Sequence, residues 1–139
     1  MNIFESAKRN ERLKKLDSIF SFGDVQLYVK NIKELIVGTK TYQISDFETL
    51  DELKLFFYDN FRKIKKIISE NINFIDIYHL SSGKLHNKYG PAYIRIHKRN
   101  SEMIIKLFFK KGKQVQEKDV LKKSRDSKLN RVFKIFLFN

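Results

Sequence analysis

The stretch AYIRIHKRNSEMIIKLFFK, residues 92–110, decides the fold. Apolar residues recur at alternate positions in its two halves, the period-two pattern of half-buried strands. Arg99, Asn100 and Ser101 separate the halves, so the stretch predicts a β-hairpin. Pairing residues 92–98 with 103–109 sets Ile96 opposite Ile105, Ile94 opposite Leu107 and Ala92 opposite Phe109 on a core side. The other side then carries Tyr93 opposite Phe108, His97 opposite Ile104 and Arg95 opposite Lys106. Like charges directly opposite one another destabilise a sheet, and an anion over that face would relieve the repulsion. Aromatic and basic side chains on one face also suit single-stranded nucleic acid, which needs stacking surfaces and phosphate neutralisation. The competing expectation is plain packing: Tyr93 and Phe108 under another element, with Arg95 and Lys106 reaching water.

Working outward from the hairpin, NFIDIYHL at 73–80 reads as a strand and Lys111-Gly112-Lys113 as a turn. EKDVLKKSR at 117–125 predicts a short helix, with Lys118, Lys122 and Arg125 on one face at i, i+4 and i+7. The final NRVFKIFLFN suits a strand by its β-branched and aromatic content, while Leu129, Val132, Phe133 and Phe136 also fit a helix. In the first half, Asn2 and Glu5 have capping-box spacing, and Phe4, Ala7, Leu13, Leu16 and Phe20 fall near one face of a helix. Val25, Leu27 and Val29 alternate with polar neighbours, and Gly38-Thr39-Lys40 joins two further apolar runs, so a three-stranded meander is expected. Ser45 and Glu48 form another capping box, ahead of Leu50, Leu53, Phe57, Phe61, Ile64 and Ile68 at helical spacing. The expectation is α+β: two antiparallel meanders separated by a long amphipathic helix, with an N-terminal helix and a short C-terminal helix.

One motif points to a family. Gly83, Lys84, Leu85, His86, Gly90, Pro91 and Ala92 spell G-K-L-H-x-x-x-G-P-A, and Phe109 to Lys113 spell F-K-K-G-K, the start of a second unit 29 residues on. This resembles a β-hairpin repeat of phage and large-virus proteins, related to MORN-type repeats, over residues 78–113. Asn87 and Tyr89 depart from the usual Arg and Asp of that repeat, and Gln114-Val115 stand where a second Leu-His would recur. The resemblance implies a hairpin and a viral or mobile-element origin, and no reaction. From the residues themselves, His86 is expected to brace the turn by hydrogen-bonding its backbone.

The 139 residues make about one domain by the length prior, with no linker rich in Pro, Gly or Ser. Thirteen phenylalanines and six tyrosines supply an aromatic core. The start lacks the apolar region of a signal peptide, and no apolar run reaches about 20 residues, so no membrane span is expected. With no cysteine, disulfides, thiol chemistry and cysteine zinc sites are excluded, and a cytoplasmic location is expected. Lys, Ile and Asn total 48 residues, which suggests an AT-rich genome. The net charge of +13 is divided unevenly: residues 1–76 carry +1 and residues 77–139 carry +12. Such asymmetry within one small domain is the footprint of a polyanion-binding surface.

His79, His86 and His97 would hold a metal only if the fold gathered them, and the chain has no P-loop, G-x-S-x-G or H-E-x-x-H. No cofactor and no metal are expected. The sequence therefore predicts a non-enzymatic basic protein of phage or mobile-element origin. Its partner is expected to be nucleic acid, a ribonucleoprotein or an acidic protein surface, with inhibition of host defence of the anti-CRISPR type as a possible role. The expected contact residues are Tyr93, Arg95, His97, Lys106, Phe108, Lys110, Lys111, Lys113, Lys118, Lys122 and Arg125. The alternatives are a structural or virion protein and a small His-dependent nuclease.

Overall fold

Isoleucine and aromatic residues at alternate positions build one large antiparallel sheet in the computed structural model, which describes residues 18–120. A separate hairpin comes first, β1 (Ile19–Phe22) and β2 (Val25–Tyr28). There follow β3 (Ile32–Val37), β4 (Lys40–Gln43), the helix α1 (Leu50–Asp59), β5 (Ile64–Glu70), β6 (Phe74–Ser81), β7 (Lys84–Leu85), β8 (Tyr93–His97), β9 (Glu102–Lys110) and β10 (Lys113–Val115). The eight-stranded sheet runs β10-β9-β8-β6-β5-β3-β4, with β7 beside the end of β6.

This corrects the expected fold class. In place of two meanders around a long helix, the described residues form one eight-stranded sheet, a separate two-stranded hairpin and one ten-residue α-helix. The helical run stops because Asn60 caps it, its side-chain amide donating to the Phe56 carbonyl at 2.9 Å. Beyond it, Ile64, Ile67 and Ile68 are β-branched and are stiff at χ1, which favours a strand; they enter β5 between β3 and β6. The helix also begins later than Ser45. Thr49 is the N-cap, its hydroxyl accepting from the Glu52 N–H at 3.1 Å. β2 pairs with β1 instead of β3, so the first meander does not form. The expected helix at 117–125 begins as a single 3-10 turn, Glu117–Asp119, and its remainder lies outside the described residues, as do the expected N-terminal helix and the final strand or helix.

One face of the sheet carries the core. Leu35, Ile67 and Leu80 are buried under α1 residues Leu53 and Phe57 and under Phe22, Val25 and Leu27 of the first hairpin. Phe57 is 1% exposed, with the rings of Phe20 and Phe22 centred 4.6 and 5.0 Å from its own. Truncating such a residue to alanine costs about 3–5 kcal/mol. The opposite face bears Ile36, Ile68, Ile75, Ile77, Ile94 and Ile96, all half-buried and none part of that core. The loop 86–91 closes the gap between β7 and β8, and the His79 N–H donates to the Ala92 carbonyl at 2.7 Å where β8 begins.

Candidate functional site

The register of β8 with β9 redistributes the expected site. Arg95 pairs with Ile105 and Tyr93 with Leu107, so Lys106 stands opposite Ile94 on the other face. The hairpin loop is anchored a residue earlier than the sequence pairing assumed. The Ser101 N–H donates to the His97 carbonyl at 2.8 Å, and Glu102 pairs with His97. An irregularity at Ile104 then shifts the ladder again before Arg95. Tyr93, Arg95, His97, Lys106 and Phe108 therefore do not share a surface.

Arg95 is committed inside the protein. Its Nε and Nη2 donate to the two oxygens of Asp76 at 2.7 and 3.0 Å, and its guanidinium lies 4.5 Å over the ring of Phe74. Tyr93 donates its hydroxyl proton to the same carboxylate at 2.8 Å. Asp76 is only 7% exposed, so it is a buried charge neutralised by a bidentate partner. The hydrogen bond that Arg95 donates to Asp76 holds the Arg95 pKa well above its ordinary value. Burial, then the Asp76 bond, pushes the Tyr93 phenol up. Tyr78, 5.1 Å from the Tyr93 ring, is pushed up to about 12, mostly by burial. Parity already placed Phe74, Asp76 and Tyr78 on one face of β6; pairing β6 with β8 was the missing step.

His97 accepts the Arg99 N–H on Nδ1 at 3.2 Å and meets the Phe74 ring edge-on at 5.5 Å. Phe108 is buried, 8% exposed, opposite Val115. Lys118 is exposed in the 3-10 turn. Lys122 and Arg125 lie outside the described residues. Among the described residues no three His, Cys, Asp or Glu side chains converge as a metal site.

Lys110, Lys111 and Lys113, in contrast, join a cluster that the sequence only half revealed. Ser82 and Gly83 have φ of 48° and 78°, and Lys111 and Gly112 have φ of 49° and 85°. Both pairs are two-residue hairpin loops with two positive φ angles, the type I′ turn. The 29-residue interval thus recurs as a repeated turn, and the two copies lie side by side. The Gly112 N–H donates to the Leu85 carbonyl at 2.8 Å, and the Asn87 N–H to the Phe109 carbonyl at 3.2 Å. His86 Nδ1 accepts the Lys111 N–H at 3.0 Å. His86 therefore braces a turn, but the one after β9 rather than its own Gly90-Pro91. With Nδ1 accepting, the proton of the neutral ring sits on Nε2.

Five lysines gather here: Lys84, Lys88, Lys110, Lys111 and Lys113. Burial lowers the pKa of His86 first, and the charges of Lys111, Lys110 and Lys88 lower it further. Lys113 pairs directly with Lys110, a like-charge juxtaposition. Lys84 packs beside Gly112, its Cδ 3.4 Å from where a Cβ there would lie. Lys110 directs its ammonium to the Asp119 carbonyl at 2.5 Å. Asp24 comes from the first hairpin, and its carboxylate accepts the Leu85 N–H at 3.0 Å. Tyr89, 44% exposed, lies in the same loop, with the Lys88 ammonium 5.6 Å from its ring centre.

Another group of bases, at the far end of β5, is differently arranged. Lys33 and Lys98 both bind Glu70, at 2.9 and 2.5 Å. Those two hydrogen bonds, that of Lys98 first, hold the Glu70 carboxyl below its ordinary pKa. There the protein supplies its own anion. No protein-family model matches the chain, and neither the curated proteins nor the solved structures contain a match to it. No helix among the described residues is long and apolar enough to cross a membrane.

Proposed function

We propose that the chain is a non-enzymatic binding protein that takes single-stranded nucleic acid at the lysine cluster around His86. One observation carries the reading. Two type I′ turns lie side by side, with Lys88, Lys110 and Lys111 close enough to act on the His86 imidazole, Lys84 beside Gly112 and Lys113 opposite Lys110. Phosphates set among these ammonium groups would relieve their mutual repulsion and release condensed counterions. Tyr89 offers a ring on which a base can stack beside the phosphates. The contact residues are thus Lys84, Lys88, Tyr89, Lys110, Lys111 and Lys113, in place of the Tyr93–Arg95–Lys106 surface.

His86 is a built-in reporter. Lysine charges help hold its pKa below 6.5, so phosphates bound among them raise it. An NMR titration of the three histidines with and without a saturating thymidine oligonucleotide tests this. The expected result is a rise for His86 that exceeds any change for His97. Saturable binding that leaves the His86 titration unmoved would overturn the placement of the site. Failure to bind DNA or RNA oligonucleotides at low salt would overturn nucleic-acid binding itself.

A further inference from the structure

The turn that joins β1 to β2 is built into the lysine cluster. The Asp24 N–H donates to the Gly83 carbonyl at 2.8 Å, and a Cβ on Gly23 would strike that same carbonyl. A Cβ on Gly83 would in turn strike the ring of Phe61. Glycine at both positions lets the turn, the cluster and the ring approach this closely. Lys84 follows Gly83 in the chain, so the cluster ends against an aromatic ring.

At Phe61 a groove opens between β1 and α1. Its walls include the rings of Phe20, Phe22, Phe57, Tyr58 and Phe61. Its volume is about 680 Å³, inside the roughly 300–1,000 Å³ range of small-molecule sites, so it has room for planar rings. Phe57 and Phe22 are buried, and Phe22 steadies Phe61 with ring centres 5.1 Å apart. Phe61 is still 40% exposed, and Tyr58 is 81% exposed. Among the described residues the charged side chain that lines the groove is Lys54, a base. Open ring faces that continue from gathered ammonium groups are the two parts of a single-strand site, stacking surfaces and phosphate neutralisation.

We propose, building on the lysine-cluster reading above, that this groove is the second part of the same site. Phosphates lie on the lysines around His86, and the bases beyond Gly83 stack in the groove on Phe61 and Tyr58. Lys54 neutralises a phosphate beside the stacked bases. Stacking of this kind tolerates any sequence, so the substrate class is single-stranded nucleic acid bound without sequence preference.

The chain contains no tryptophan, so Tyr58→Trp places a sole reporter at the groove. A saturating thymidine oligonucleotide should quench its emission, with the same midpoint as the anisotropy of the labelled strand. Tyr58→Ala should weaken binding of that strand about tenfold, the loss of one stacked base, and Tyr58→Phe should keep the parental affinity. An abasic strand of equal length has the phosphates without the bases, and Tyr58→Ala should bind it as the parent does. Leu55→Ala, exposed on α1 but outside the groove, should change nothing. Binding by anisotropy with the tryptophan emission unmoved and Tyr58→Ala at parental affinity would overturn the groove and leave the lysine site standing. An equal loss with the abasic strand would overturn stacking. Quenching by polyglutamate but not by the oligonucleotide would overturn nucleic acid as the occupant and make it an acidic peptide. No binding of either strand at low salt would overturn the groove and the lysine site together.

Discussion

Two groups of charge in the basic half of this chain behave in opposite ways. Arg95 is bonded twice to a buried carboxylate, and Tyr93 completes the set on the same Asp76. The lysines around His86 have one carboxylate beside them, Asp24, which accepts the Leu85 N–H and lies with Lys84 against Gly112. Charge that is matched inside the fold stabilises it, whereas among the described residues the lysine cluster forms no such ion pair and has only Asp24 close by, which is why the cluster is the surface proposed for a partner. A residue count over 77–139 adds both kinds together, which is why the excess of +12 locates no site by itself.

The largest test of this contrast is Asp76→Ala. It leaves Arg95 half-buried without its partner, and breaking a buried pair in this way costs about 3–5 kcal/mol. Urea denaturation should show that loss, while oligonucleotide affinity of the folded fraction stays within about twofold of the parent, as the altered pair lies outside the lysine cluster. Arg95→Glu should behave likewise, unfolding the protein before it affects binding.

Lys111→Glu together with Lys113→Glu should do the reverse. Both side chains are exposed, so stability should move by no more than about 0.5 kcal/mol per change. Oligonucleotide affinity should fall by about tenfold or more, the loss expected when phosphate contacts are replaced by repulsion. A melt combined with an anisotropy titration reads both effects.

His86→Ala sits between the two groups. It removes the acceptor of the Lys111 N–H from a turn held at φ of 49°, and a hydrogen bond of this kind contributes about 1 kcal/mol. A smaller effect comes from pH. Burial is the first cause that lowers the pKa of both His79 and His86 below the ordinary 6.5. The unfolded chain therefore takes up these protons first as pH falls. Their contribution to stability is complete above pH 6.5 and is lost as pH drops through the lower folded values. Urea midpoints measured from neutral pH down to about pH 5 should decline, and the decline should be shallower in His86→Ala.

The sequence carried the strands well where alternation was regular. Residues 73–80 and the arms at 92–98 and 102–110 match β6, β8 and β9 closely. It carried the helix poorly. Apolar spacing from Leu50 to Ile68 fits a helical period, but Asn60 ends the helix and the β-branched run after it finds strand partners in β3 and β6. The partners are separated from it in sequence, so the local pattern held no sign of them. The same limit applied to the site. The register of β8 depends on the anchoring of Ser101 and on the irregularity at Ile104, and a one-residue slip moves Lys106 to the other face from Arg95. The G-K repeat was legible as a 29-residue interval. That its two copies would touch, and so gather lysines from both, follows from β9 reaching β7, a contact no interval encodes.

The measurement that bears most directly on the account is the salt dependence of single-stranded oligonucleotide binding, compared between the parent protein and the Lys111→Glu, Lys113→Glu variant. Four or five phosphates held by the cluster predict a log–log slope of about −3 for the parent, and the loss of two lysines makes it shallower by about one unit or more. A parent slope near zero, or equal slopes and affinities for the two proteins, would contradict the claim that the lysines around His86 hold the phosphate backbone.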